Sequence, residues 1–231
     1  MTGGKYRTAI VTGVSRGLGL AIANALCSRG MNVVGASRTQ PEDQTKFDWV
    51  RTDISRPEDV NSLFSHVRTK YGDVDVLVNN AAGGRVEPFE QADPEDFKKL
   101  IDVNLTGQIL CAHAAIRGMV AAKRGLIVNI GSDWGRRYAP RASVYAATKF
   151  GLLGFSGSLL REVKDHGVKV CCVMPGGIDT SWGGRRAESS GDSWSLMPPE
   201  DLAQVVTGLL DMPPHMVVHE ILVHPMGQAQ F

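Results

Sequence analysis

The sequence predicts an α/β fold, with a doubly wound parallel sheet of about seven strands covered by helices on both faces. Three observations lead there. Short β-branched runs alternate with longer amphipathic stretches along the 231 residues, which is the rhythm of βαβ units. The runs are nearly continuous in apolar residues, as strands buried on both sides require. Neither an internal repeat nor a dividing linker interrupts the chain, so residues 1–231 read as a single domain.

The elements follow in order. The first run, 8–12, leads into Thr12-Gly13-Val14-Ser15-Arg16-Gly17-Leu18-Gly19 and a helical pattern over 17–29. A run at 32–36 and a weaker one at 49–52 precede a helix over 57–71. That helix opens on Ser55-Arg56-Pro57-Glu58-Asp59, a capping residue, a proline and early acids. Runs at 74–79, 125–130, 168–174 and 217–223 then alternate with helices over 94–123, 143–165 and 199–211. Residues 181–198, rich in Gly, Ser and Arg, are long for an ordinary connection and predict a substrate lid.

Composition narrows the partners. With 25 basic and 24 acidic side chains the formal net charge is +1, which provides no field for nucleic acid or an anionic membrane surface. A small molecule or another protein is the expected partner. No run reaches the ~18 apolar residues of a membrane span and the first residues carry no secretory pattern, so a cytoplasmic protein is expected. Cys27, Cys111, Cys171 and Cys172 lack metal-ligand spacing and predict free thiols and no metal site. Glycine is enriched, at 26 residues, without low-complexity repeats. Backbone that turns sharply or comes close to a ligand explains such an excess.

The glycine segment after the first run sits where a dinucleotide-binding loop would, between a strand and a helix whose free N–H groups can meet a pyrophosphate. Its G-x-x-x-G-x-G spacing assigns Gly13, Ser15, Arg16, Gly17, Leu18 and Gly19 to cofactor binding. The second run ends at Ser37-Arg38, where an acid would hold the ribose 2′-hydroxyl of NAD. A hydroxyl and a guanidinium stand there instead, and Arg16 projects toward the same region. Two arginines suit a doubly charged 2′-phosphate, so NADP(H) is the expected cofactor. Asp53 and Ile54 are placed beside the adenine, with Asp53 accepting from its amino group.

Ser143-Val144-Tyr145-Ala146-Ala147-Thr148-Lys149 puts Tyr145 and Lys149 on one helix face. A tyrosine hydroxyl can protonate a carbonyl oxygen, but its reference pKa of ~10 makes it a poor acid–base group at neutral pH. A neighbouring ammonium and an oxidised nicotinamide would favour the phenolate. Ser132 ends the run at 125–130, where it can hold a substrate carbonyl. The run at 74–79 ends in Asn80-Ala81-Ala82-Gly83-Gly84, small residues suited to a nearby cofactor. Asn104 is a polar residue inside an otherwise good helix, and predicts a held water or a kink near Lys149.

Taken together, these motifs resemble the classical short-chain dehydrogenase/reductase family over nearly the whole chain, through the Pro175-Gly176-Gly177-Ile178-Asp179-Thr180 turn. The resemblance implies a single-domain Rossmann fold and a catalytic tetrad of Asn104, Ser132, Tyr145 and Lys149. In that family the tyrosine is the acid–base, the serine orients the carbonyl, the lysine binds nicotinamide ribose and tunes the tyrosine, and the asparagine supports a proton-relay water. It further implies that Asn80, Ala81 and Ala82 pass near the adenosine ribose, and that Pro175, Gly176, Ile178 and Thr180 lie by the nicotinamide. A homodimer or homotetramer, packed through small and apolar residues such as Ala112, Ala114, Ala115, Leu152 and Phe155, is also implied.

Asp133, Trp134, Tyr138, Trp182 and Trp194 are the expected pocket lining, with Arg136, Arg137, Arg141, Arg185 and Arg186 nearby in sequence. Such a set can receive an acyl chain or ring bearing an anionic group. The sequence therefore predicts NADPH-dependent reduction of a ketone, with a 3-oxoacyl thioester as one substrate, resembling 3-oxoacyl-acyl-carrier-protein reductases. Its alternatives are alcohol oxidation by the same residues and a dinucleotide-binding regulator on the same fold.

Overall fold

The computed structural model describes residues 6–41, 46–84, 86–180 and 196–228. Seven strands form one parallel sheet in the order β3-β2-β1-β4-β5-β6-β7. They are β1 (Thr8–Thr12), β2 (Asn32–Ser37), β3 (Asp48–Arg51), β4 (Val76–Asn79), β5 (Gly125–Ile130), β6 (Val168–Pro175) and β7 (Glu220–Val223). The helices are α1 (Gly17–Ser28), α2 (Pro57–Tyr71), α3 (Pro94–Ile101), α4 (Gly107–Ala122), α5 (Ser143–Val163) and α6 (Pro199–Gly208).

Strand periodicity divides the core in two. Ala9, Val11, Val76, Val78, Leu126 and Val128 face α1 and α6, whereas Ile10, Leu77 and Ile127 face α2, α4 and α5. Covering both faces is why these strands read as continuous apolar runs. The order of the strands reverses between β1 and β4, so the loops leaving their C-terminal ends diverge and open a crevice there.

Three features differ from expectation. Helix 94–123 is broken by a π-helical turn at Asp102–Thr106, which carries Asn104 and joins α3 to α4. Ser55 does not cap α2: Arg56 is the first-turn flank, and the Ser55 hydroxyl is held instead by the Asp53 carboxylate at 2.7 Å. The β7 run is shorter, because the chain arrives through a turn closed by Met216 N–H on Pro213 O and pairs with β6 only from His219 onward. Of the expected lid, residues 181–195 lie outside the described residues. Its far end returns to the site, where Met197 bridges Ile178.

Candidate active site

The C-terminal ends of the central strands open onto one cleft of about 1550 Å³. At one end lies the glycine loop. Gly13 has φ +74, and a Cβ on it would stand 2.8 Å from both Ala81 Cα and Asn80 Nδ2. Only glycine lets β1 turn there while β4 passes so close. Arg16 flanks α1 in extended conformation with no side-chain cap, and the first turn of the helix carries no acid, so its N–H groups are left for an anion. Gly13, Ser15, Arg16, Gly17, Leu18 and Gly19 all line the cleft.

Thr12, which sequence reasoning passed over, fixes this loop. Its fully buried hydroxyl accepts from Asn80 N–H and Ala81 N–H, both at 3.0 Å. Asn80 Nδ2 in turn donates to Thr12 O at 2.9 Å. A threonine ending a strand before a glycine loop was the available signal, but its partners come from β4, 66 or more residues away.

At the end expected to take adenosine, Arg16 and Arg38 are exposed and line the same cleft as Ser37, Asp53, Ile54, Asn80, Ala81 and Ala82. Ser37 also has a local part that the sequence did not reveal. Its hydroxyl donates to Thr39 O at 2.7 Å and accepts from Trp49 Nε1 at 2.9 Å, so its proton is already committed to shaping the turn that presents Arg38. Asp53 likewise receives Ser55 N–H and Oγ–H on one carboxylate oxygen.

At the other end, Ser132, Tyr145 and Lys149 line the cleft together. β5 continues its ladder one residue past its end, through Gly131 N–H to Val173 O, which delivers Ser132 at the sheet's rim. Tyr145 and Lys149 follow on the first turns of α5, with Lys149 Nζ 5.5 Å from the Tyr145 ring centre. Ser132 lies close enough to Tyr145 to favour its phenolate, and Trp134 packs edge-on against the tyrosine ring at 5.9 Å. Lys149 is buried and donates to Ile130 O at 2.9 Å.

Burial dominates the electrostatics of this pair. Desolvation pushes Tyr145 well above the usual tyrosine range, partly offset by the Ser132 hydrogen bond and reinforced by the nearby Asp133 charge. Desolvation also lowers Lys149 to about 8. The protein alone therefore does not lower the tyrosine as the sequence led one to expect. Burial outweighs electrostatic attraction at the phenol, although Lys149 keeps most of its charge at neutral pH.

Asn104 stands behind the wall rather than in it. Fully buried, it accepts from Gly83 N–H at 2.7 Å and donates to Gly83 O at 2.9 Å, pinning the strand-end segment that faces the cleft. The kink anticipated at this residue is the π-helical turn itself, a feature that recurs at functional sites. Pro175, Gly176, Ile178 and Thr180 line the cleft below β6.

The expected substrate residues divide. Trp134 and Asp133 line the cleft, but the buried Asp133 carboxylate pairs with Arg137 at 2.5 Å. Tyr138 does not reach the cleft: it is 92% exposed and stacks on Phe150 of α5 at 5.9 Å, because the chain turns outward after Arg137. Trp182 and Trp194, with Arg185 and Arg186, lie outside the described residues. Sequence reasoning missed the apolar wall opposite, where Phe89 and Phe97 stack at 5.3 Å beside Leu100 and Val103. Phe97 and Leu100 sit on a short amphipathic helix, but Phe89 lies in a turn without periodicity.

Comparison with known proteins agrees with this architecture. A model of the family described as short chain dehydrogenase matches residues 7–190. The chain is 31% identical to dehydrogenase/reductase SDR family member 11 of Bos taurus, over 96% of this chain and 97% of that one. It is 35% identical to the 3-oxoacyl-acyl-carrier-protein reductase FabG of Escherichia coli, over 75% of this chain and 74% of that protein. Among solved structures, an alcohol dehydrogenase from the archaeon Thermococcus sibiricus, complexed with 5-hydroxy-NADP, superposes with a TM-score of 0.88 at 28% identity. That match covers 97% of this chain and 99% of the other. A metagenomic short-chain oxidoreductase in complex with NADP gives 0.80 at 31% identity, covering 96% and 98% of the two chains. Strand order, glycine loop, the Ser132-Tyr145-Lys149 cluster and these likenesses converge: the chain belongs to the short-chain dehydrogenase/reductase family of oxidoreductases.

Proposed function

We propose that the protein reduces a ketone to an alcohol with NADPH, using Tyr145 as the acid. The observation that carries this reading is the meeting of Ser132, Tyr145 and Lys149 on the wall of the cleft that also holds the glycine loop and both arginines. The residues fit the cofactor: a cradle that a Cβ at Gly13 would fill, a helix terminus with uncapped donors, and two guanidinium groups for a 2′-phosphate. When bound, NADPH supplies the hydride. Ser132 and Tyr145 direct their hydroxyls at the carbonyl oxygen, where negative charge develops as the hydride adds. Tyr145 gives its proton to that oxygen. Lys149 stands beside the phenol and stabilises the negative charge left on it, and Asn104 holds the backbone wall in place through Gly83.

A raised tyrosine pKa suits this direction, because the acid must be protonated to act. The intact Ser132-Tyr145-Lys149 cluster likewise favours an enzyme over a dinucleotide-binding regulator. The Phe89, Phe97, Leu100, Val103 and Trp134 wall favours an acyl substrate, and likeness to an oxoacyl reductase makes a 3-oxoacyl thioester our choice.

Purified protein with NADPH should turn over acetoacetyl thioesters, read at the nicotinamide absorbance. Reduction of other ketones with none of the thioester would refute the substrate. Tyr145→Phe should lose turnover by about 10²-fold or more while still binding NADPH, and retained turnover would refute the mechanism.

A homodimer or homotetramer remains our proposal for the assembly, with a changed set of contacts. Ala112, Ala115 and Leu152 are buried in the protomer's own core, and Ala114 and Phe155 pack against it. The exposed Tyr138–Phe150 stack is what α5 offers outward.

A further inference from the structure

Two described residues other than glycine have a positive φ. Lys123, at +50, ends α4, an ordinary place for left-handed backbone. Arg141, at +65, follows Pro140 in the turn that leads into α5, where no helix ends. A residue with a Cβ is strained in this conformation and glycine is not. The turn is tied to the rest of the protein by backbone alone: Arg141 O accepts Glu87 N–H at 2.9 Å, which joins the loops that follow β4 and β5. Glycine would make the same bond without strain. What arginine adds is its side chain, and strain retained beside a cleft is a mark of function.

That side chain is exposed, and Arg141 lines the cleft four residues before Tyr145, a stretch of at most ~14 Å. The other basic groups near the reacting residues are committed. Arg137 pairs with Asp133 at 2.5 Å, Lys99 with Asp96 at 3.1 Å, and Lys149 donates to Ile130 O at 2.9 Å. Arg16 and Arg38 stand at the end expected to take adenosine. Among the described residues no carboxylate pairs with Arg141. Glu87, whose N–H holds the turn, lies two residues from Phe89, so Arg141 borders the apolar wall that begins with the Phe89–Phe97 stack. The cleft thus presents together the Ser132 and Tyr145 hydroxyls, an apolar wall and an uncompensated guanidinium. Such a fork pairs bidentately with a carboxylate or a phosphate.

We propose that Arg141 is a specificity-determining residue that receives a carboxylate or phosphate carried by the ketone substrate beyond its apolar part. This rests on the protein being a ketone reductase. In a free oxo acid the anion is the carboxylate, and in a thioester it is the phosphate of a pantetheine arm. Held away from the carbonyl, the anion is bound equally in the ground and transition states, so it acts through KM rather than kcat.

Two matched pairs test this: S-acetoacetyl-4′-phosphopantetheine against S-acetoacetyl-pantetheine, and 5-oxohexanoate against its methyl ester. In the wild type at least one anionic member should exceed its neutral partner in kcat/KM by about 10-fold or more, chiefly through KM, and the pair that does so identifies the anion. Arg141→Gln should bring that ratio toward parity, and Arg141→Lys should restore part of it. Arg141→Gly removes the side chain and relieves the backbone, so it should melt no lower than the wild type while losing the same ratio. Added salt should lower the wild-type ratio, because the contact is exposed. A wild type without preference in either pair, or a preference that Arg141→Gly retains, overturns the proposal. If no ketone is reduced, it is the proposed function that falls; the same pairs, titrated by calorimetry into the NADPH-bound protein, then decide the role of Arg141 by the ratio of their Kd values.

Discussion

Replacing Lys149 with methionine should stabilise the fold while removing its activity. Lys149 is wholly buried, and desolvation brings it from 10.5 to about 8. At 1.36 kcal/mol per pH unit, forcing a proton onto it in the folded state costs about 3 kcal/mol. Methionine fills a similar volume without the charge, but leaves Ile130 O without the donor now 2.9 Å away, at a cost of about 1 kcal/mol. The net gain near neutrality is about 2 kcal/mol, or roughly 4–8 °C in Tm for a chain of this size.

The sign of the pH dependence follows from where the protons sit. Below pH 8 lysine is protonated in both states and the wild type carries the full penalty. Between about 8 and 10.5 the unfolded chain holds a proton that the folded protein has released, so wild-type stability rises with pH. The advantage of Lys149→Met should therefore be full at pH 7 and vanish by about pH 10.5. Denaturant melts of both proteins from pH 7 to 10.5, at one protein concentration and without cofactor, read this directly. A variant that is less stable at pH 7, or whose difference from wild type is flat across the window, refutes the reasoning.

Two further outcomes follow from the cofactor end. A Cβ at Gly19 would stand closer than 3.0 Å to Gly13 O and Asn80 Nδ2, so Gly19→Ala should displace the loop at about 1–3 kcal/mol and weaken NADPH binding roughly 5- to 150-fold, as fluorescence titration would show; unchanged affinity would mean that the loop yields freely. Arg38→Asp replaces a guanidinium beside the expected 2′-phosphate with a like charge and should cut the NADPH-to-NADH preference by about 10- to 150-fold, the worth of one charged hydrogen bond. An unchanged ratio of kcat/KM values for the two cofactors would remove Arg38 from that role.

Local rules and short spacings made much of this protein legible from sequence. Buried parallel strands must be apolar on both faces, so seven runs marked seven strands, and glycine at 13 and 19 marked the phosphate turn because a Cβ would collide with β4 and with the loop itself. Tyr145 and Lys149 fell on one helix face by spacing alone. The sheet order and the meeting of Ser132 with that pair come from strand pairing at long range. The tasks of individual polar groups were harder still. Ser37 and Asp53 line the cleft, yet Thr39, Trp49 and Ser55 also share hydrogen bonds with them that the sequence did not reveal. Asp133 lines the cleft, and its ties to Arg137 and to Gln228, 95 residues further on, were not visible in the sequence.

The sequence by itself determined the fold class, the glycine loop and the basic character of the second strand's end, since these depend on periodicity, charge and spacing within single elements, and its family resemblance pointed to the side chains proposed to react. Only the tertiary structure decided which hydroxyls are free to act, how burial moves Tyr145 and Lys149, and that the C-terminal segment reaches the catalytic serine through Gln228 and Asp133. Desolvation and hydrogen-bond satisfaction depend on everything that surrounds a group, and those neighbours are assembled only when distant parts of the chain fold together.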